Sequence, residues 1–319
     1  MNVQNENEYE DLLSLWSDLE AGLGVILGSP HSALEFEQRV KQYDRWMQAL
    51  LARDTDVGLY LLFQLSTHST VGYSTSHALI NAVLCHLIAK ELQLDTQERN
   101  SLIHAALTMN IAITTLQDEL ALQADKLSPE QLNTVRARAA NGGALLARLG
   151  VTEPLWLQTV SFEGDEAEDK KGLYQLTPIT RLVRILHNVD RYAAMISPRK
   201  SREGRSATES ARSLMQGKSS YTDEVGHALV QAVGLSPPGT CVKLEDGTTA
   251  VVIRRSREPM LPQVAIVTDL SGHQLSQPRL HNTAQGKPAI QTGLTNSAVR
   301  LQLNHHLILQ LGAQAALQP

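Results

Sequence analysis

Thr177-Pro178-Ile179-Thr180-Arg181-Leu182-Val183-Arg184-Ile185-Leu186-His187-Asn188-Val189-Asp190-Arg191-Tyr192-Ala193-Ala194-Met195 reads as one long amphipathic helix opening after Thr177-Pro178. Ile179, Leu182, Val183, Leu186 and Val189 recur at helical spacing and form an apolar stripe. Asp190 interrupts the chemistry of that stripe. It lies four residues after Leu186 and seven after Val183, so it points with them toward the interior. A carboxylate in that place requires a metal, a cation or several hydrogen-bond donors, because burying an unpaired charge is costly. His187, one turn earlier, is a neighbour on the same helix.

The rest of the chain is helical from Tyr9 to about Leu235. Leu12, Leu15, Trp16 and Leu19 share a face, and Gly22, Gly24 and Gly28-Ser29-Pro30 read as a break after them. Amphipathic stretches follow at Leu34 to Ala52 and Val57 to Leu65, and the turn-rich run from Ser66 to Gly72 separates this segment from a main bundle. Within the bundle, His77 to Leu92 carries Ile80, Val83, Leu84, Leu87 and Ile88 at helical spacing. Asp95 followed by Glu98 reads as a capping box, and the helix it opens carries Leu102, Ile103, Ala106, Leu107 and Ile111. Ser128-Pro129-Glu130-Gln131 is a second start signal, for a helix ending at Gly150.

After Pro237-Pro238-Gly239 the pattern changes. Cys241 to Leu244 and Thr249 to Ile253 flank Glu245-Asp246-Gly247 as a hairpin, and Gln263 to Thr268 is a third strand turning at Asp269 to Gly272. A lone hairpin is marginal, so a small sheet or barrel docked on the helices is expected. The fold class is mainly α: a helical bundle with an N-terminal helical segment and a small C-terminal β domain. The expected divisions are 1–65, 66–235, 236–283 and a tail of 284–319, in which Ala298 to Leu311 is a candidate helix.

Asp190 has company. Asn110 stands to Ala106 and Ile103, and His77 to Ile80 and Leu84, as Asp190 does to its own stripe. Three polar residues on the inward faces of three helices suggest a pocket, present or former. The bland reading, a hydrogen-bonded cluster fixing how helices meet, suits each of them alone.

Composition excludes several classes. The 319 residues fit about two domains at roughly 150 residues each. Hydrophobic content of 42% supports a core, and a net charge of -5 gives no footprint for nucleic acid or anionic membrane. Aromatics make up only 4%, too few for stacking platforms on single strands. Cys85 and Cys241 cannot build a disulfide framework, which suits a cytoplasmic location. The acidic start lacks the basic and apolar pattern of a signal peptide, and no apolar run reaches the roughly 18 residues of a membrane span.

Several short motifs occur in an order that belongs to a known family. They are Ser76-His77-Ala78-Leu79, Leu127-Ser128-Pro129-Glu130, Gly142-Gly143-Ala144-Leu145-Leu146, Arg184-Ile185-Leu186, and Val189 to Met195. Arg199 and Arg202 then stand where that family carries an arginine pair, and Pro237 to Val252 matches a β appendix. On these residues, the segment from Tyr73 to roughly Leu214 resembles an HD-GYP domain, the branch of the HD phosphohydrolase superfamily that hydrolyses cyclic di-GMP. The resemblance implies a helical bundle, a metal centre of iron or manganese, and a cyclic dinucleotide or signalling proteins as partners.

The motifs that would build the metal centre depart from the family. Met109-Asn110 replaces its His-Asp pair, Ile113 its lysine and Arg138 a further histidine. Its His-His-Glu becomes Ser161-Phe162-Glu163, and its Gly-Tyr-Pro becomes Gly172-Leu173-Tyr174. A thioether is a poor ligand for such ions, and an arginine brings a permanent positive charge. Of the family's inner ligands only His77 and Asp190 remain, with Asn110 as a neutral remnant and His187 as a possible substitute. No metal cofactor and no catalytic residue is therefore expected. Arg138 and Asp190 are expected to form an ion pair where the metals stood, and Arg199 with Arg202 are candidate ligand-binding residues. The leading expectation is a non-catalytic signalling or scaffold protein acting through protein contacts or nucleotide sensing. The alternative is a metal-dependent cyclic di-GMP phosphodiesterase using His77, His187 and Asp190. The acidic run Glu163 to Lys171 reads as a solvated loop, His86 and His104 as structural or surface residues, and Cys85 as a small packed hydrophobe.

Overall fold

The computed structural model describes residues 3–68, 71–162, 171–200, 204–216, 223–295, 298–299 and 301–317. Three helices come first: α1 (Val3–Gly28), α2 (Phe36–Arg53) and α3 (Thr55–His68). The bundle follows with α4 (Tyr73–Glu91), α5 (Thr96–Thr108), α6 (Thr114–Leu122), α7 (Pro129–Arg136), α8 (Arg138–Arg148), α9 (Pro154–Ser161), α10 (Pro178–Ile196), α11 (Ala207–Met215) and α12 (Asp223–Val233). Five antiparallel strands and a last helix complete the chain: β1 (Cys241–Leu244), β2 (Thr249–Arg254), β3 (Gln263–Thr268), β4 (Gln274–Asn282), β5 (Ile290–Leu294) and α13 (His305–Ala316).

Helix α4 is the axis of the molecule. Every residue from Ser74 to Ala89 is buried, as expected of a helix with apolar or small residues on all sides. It packs against α1, α3, α5, α6, α10 and α12. Helix α10 has the opposite character: Leu182, Val183, Leu186 and Val189 are buried along one side, while Arg181, Asn188 and Arg191 face outward or lie half-buried. Its N-cap is Thr177, whose side chain accepts the Thr180 N–H.

Several local expectations change in the folded chain. Gly22 and Gly24 do not break α1, which runs on to Gly28. A Cβ on Gly22 would sit 2.5 Å from the Tyr43 hydroxyl, and one on Gly24 would sit 2.5 Å from Val71 Cγ1. These glycines permit close packing and do not end the helix. The helix expected from Ser128 to Gly150 is two helices, because backbone at Ala137 (φ -80°, ψ 2°) leaves the α region and ends α7. The Ser128–Gln131 capping box is complete. At Asp95 only half of the box forms: Asp95 accepts the Glu98 N–H at 2.8 Å, while the Glu98 carboxylate turns to the Arg181 guanidinium. Helix α5 stops at Thr108, leaving Asn110 in the turn that follows. Part of the run read as a turn, Ser66 to His68, belongs to α3.

The strands form one sheet in the order β4-β3-β2-β1-β5. The expected hairpin joins β1 and β2, with Gly247 at φ +87° and the Thr248 N–H donating to Asp246 Oδ1 at 2.9 Å. The stretch read as a tail supplies the edge strand β5, which pairs with β1, and a helix, α13, that starts later than Ala298. One face of the sheet, with Cys241, Val251, Ile253, Ala265 and Val267, joins the main core that also holds Ile308 and Leu309 of α13. The other face closes on its own core of Val242, Leu244, Ala250, Val252, Val264 and Ile266. Polar clamps fix the sheet to α3. Arg254 bridges Asp54 (2.5 Å) and Asp56 (3.3 Å), and Arg255 Nε lies 2.5 Å from Asp56. The Tyr60 hydroxyl and His305 Nδ1 are 2.7 Å apart.

Candidate functional site

A cavity of about 290 Å³ opens among α4, α6, α7, α8 and α10. His77, Asn110, Arg138, Asp190 and Arg199 all line it, with Gln117, Gln123 and Asp125 as further polar groups. Five of the residues singled out in the sequence therefore meet in one place. Ile113, Leu120, Leu127, Val135 and Ala194 supply its apolar wall.

The inner wall is a chain of contacts. His77, buried on α4, places Nε2 2.7 Å from Asp190 Oδ1 of α10. Its ring stacks on Tyr73 one turn earlier, with centroids 5.3 Å apart and planes 16° apart. On Tyr73 rests Arg199, whose Cζ lies 4.7 Å from the ring centroid and whose Nη2 donates to the phenolic oxygen at 2.7 Å. The helix spacing that brings Tyr73 beneath His77 thus carries an arginine from beyond α10 to the mouth of the cavity.

Asp190 side-chain exposure is 29%, so its carboxylate reaches the cavity. Burial pushes it toward the neutral form. The His77 hydrogen bond and the positive fields of His77, Arg138 and His187 outweigh that and hold it below the ordinary carboxylate range. The expected ion pair between Arg138 and Asp190 does not form. His77 is the direct partner of Asp190, while Arg138 acts at longer range and donates from Nη1 to the Val135 carbonyl at 3.3 Å. The reason is the break at Ala137, which makes Arg138 the first residue of α8 and holds its guanidinium near the last turn of α7.

His187 is exposed on α10 and does not line the cavity. Arg202 lies outside the described residues, as does the acidic stretch from 163 to 170. Ser161 does not face the cavity. It packs on Gly143, where a Cβ would come within 1.9 Å of its hydroxyl and 2.9 Å of its Cβ, so the glycine pair in α8 serves close contact with α9. Tyr174 is exposed and donates its hydroxyl proton to the Leu92 carbonyl at 2.9 Å. Cys85 is fully buried, and burial pushes its thiol far up, leaving it unreactive.

Among the described residues, this lining holds few of the donors that a two-metal centre uses. Activating water between two ions needs several imidazole and carboxylate donors converging on open positions. Here His77 Nε2 and Asp190 Oδ1 face one another, and the other polar groups of the lining are three amides (Asn110, Gln117, Gln123), two guanidiniums and the exposed carboxylate of Asp125. Among the described residues no three His, Cys, Asp or Glu side chains form a group that could hold a metal ion.

Sequence reading missed a second polar cluster, inside the bundle. His104 of α5 lies 3.1 Å from Asp44 of α2, and both are buried. Its ring centroid is 5.0 Å from that of Trp156, whose Nε1 donates to Thr108 at 2.8 Å. His86 is buried nearby in charge terms, feeling Asp44, Lys90 and Arg99. His104 offers no carboxylate at its own helical spacing, and only the packing of α2 supplies one.

No family model matches the chain, and no solved structure does. Among curated proteins it is similar to Cyclic di-GMP phosphodiesterase PA4108 of Pseudomonas aeruginosa, with 24% identity over 197 residues, 61% of this chain and 48% of that protein. The chain spans about half the length of this relative. No described helix is long and apolar enough to cross a membrane. The mainly helical protein with its small antiparallel sheet is thus a distant relative of a cyclic di-GMP phosphodiesterase.

Proposed function

We propose that this chain is a catalytically inactive, HD-GYP-like signalling protein whose cavity senses a nucleotide, cyclic di-GMP being the first candidate. The observation that carries the reading is the pair of guanidiniums, Arg138 and Arg199, lining the cavity beside the His77–Asp190 contact, where the other carboxylate, Asp125, is exposed. Permanent cations stand beside the Asp190 carboxylate and oppose a metal ion there. Similarity to a cyclic di-GMP phosphodiesterase supports the ligand class. Incubation of the purified chain with cyclic di-GMP and iron or manganese tests it, and the expected result is no linear or mononucleotide product.

The same similarity favours a second reading, a phosphodiesterase working with a non-standard ligand set that includes His77 and Asp190. Turnover that disappears in Asp190→Ala establishes that reading and removes the first.

A further inference from the structure

The cavity contains more hydrogen-bonding capacity than the protein itself uses. Gln117 is buried, and its Oε1 has no partner. His77 Nδ1 and Arg199 Nε are likewise buried and unpartnered. The Asn110 amide makes no side-chain hydrogen bond among the described residues, and Arg138 makes one, to the Val135 carbonyl. Buried polar groups are rarely left so, and water or a ligand completes most of them. That several of them line one cavity points to a ligand rich in acceptors with at least one donor.

We infer that the cavity binds the phosphate group of a nucleotide directly through Arg138 and Arg199, with no divalent metal between protein and anion. This rests on the nucleotide-sensing reading and specifies how the ligand is held. A guanidinium keeps its charge at every physiological pH and offers forked N–H donors that match phosphate oxygens. Two of them line the cavity, Arg138 from α8 and Arg199 from the segment after α10. Arg199 is already oriented by Tyr73, through the ring face and the hydroxyl, so little freedom is lost when an anion arrives. Asp190 opposes an anion. Its Oδ1 is, however, held by His77, and the other carboxylate on the cavity wall, Asp125, is exposed.

Size and the remaining donors and acceptors narrow the class. A cavity of about 290 Å³ lies at the lower end of the roughly 300–1,000 Å³ typical of organic ligand sites. It takes one nucleotide unit. Gln117 Oε1, an unpartnered acceptor of the same lining residue set, matches the N–H or O–H groups of a base or ribose better than it matches phosphate oxygens. The ligand is therefore a nucleoside monophosphate unit, either free or as one half of a cyclic dinucleotide.

Calorimetric titration of the full chain in excess EDTA with inorganic phosphate, GMP and cyclic di-GMP tests the inference. Saturable binding of GMP or cyclic di-GMP is expected, tighter than phosphate and unchanged when manganese replaces EDTA. Arg138→Gln should weaken it about tenfold or more, as loss of a charge-assisted hydrogen bond predicts. Its circular dichroism and melting curve should match the parent, and Arg138→Lys should recover part of the affinity. GMP binding without cyclic di-GMP binding upholds the arginine site and removes cyclic di-GMP as the sensed ligand. Cyclic di-GMP binding that appears only with added metal upholds that ligand and overturns the arginine site. Absence of binding by all three ligands, or unchanged affinity in folded Arg138→Gln, also overturns it.

Discussion

A histidine buried without a full set of partners couples stability to pH, and His86 is such a residue. It is 2% exposed, and its Nδ1 has no hydrogen-bond partner. Burial, aided by Lys90 and Arg99 and opposed by Asp44, pushes its pKa down to about 4. The unfolded chain takes up this proton near the ordinary value of about 6.5. Because the folded state resists protonation, the contribution of His86 is complete above that value and is lost as pH falls from there to about 4. Urea midpoints measured across this range should fall less steeply in His86→Leu than in the parent. Equal slopes would show that the imidazole titrates alike in both states. The neighbouring His104–Asp44 pair shows why this cluster escaped the sequence: its two members are 60 positions apart and meet only through the packing of α2 on α5. By contrast His77 and Asp190 were legible from their own helices, and Asn110 from the extrapolated spacing of α5, since each is polar where that spacing calls for an apolar residue.

Elements were read best where a chemical signal sits at a terminus. Ser128 with Gln131, Thr177 before Pro178, and Gly247 in the hairpin all mark real boundaries. Glycines inside helices were ambiguous, because the same residue ends a helix in one context and permits contact in another. Gly22, Gly24, Gly142 and Gly143 all belong to the second kind here. Gly143→Ala is the sharpest test of that role. Its Cβ would come within 2.9 Å of Ser161 Cβ, which cannot be relieved by rotating the serine. Separating α8 from α9 should cost about 1–3 kcal/mol, the range for overpacking a close contact. Denaturant titration measures it, and a change below the error of the method would mean that α8 adjusts freely. The end of α7 at Ala137 was not legible at all, since Val135-Arg136-Ala137-Arg138 contains no helix breaker. That break nevertheless sets the position of Arg138, and so explains why the anticipated pair with Asp190 does not form.

At the scale of the molecule, the sheet is bound to the helices by charge as well as by apolar contact. Arg254 is 13% exposed and spans Asp54 and Asp56 at the start of α3, while its Nε reaches the Gly312 carbonyl of α13. Asp56 keeps Arg255 and Asp54 keeps two backbone N–H donors when this partly buried guanidinium is removed, so Arg254→Ala should cost about 1.5–3 kcal/mol, the range for hydrogen bonds to charged groups. The melting transition should drop and separate into two if the sheet loosens before the bundle. An unchanged single transition would show that the apolar interface alone holds the two parts together. The same whole-molecule view carries the functional account. Elements distant in sequence bring together two arginines, a histidine–carboxylate pair, three amides and one exposed carboxylate, a set that on the proposed reading takes an anion in preference to paired metal ions. Elemental analysis of the purified chain, after incubation with iron(II) and manganese(II) and removal of free metal, tests this most directly. The account predicts well under one ion per chain, with no difference between the parent and Asp190→Ala. Two ions per chain that are lost in Asp190→Ala would contradict it.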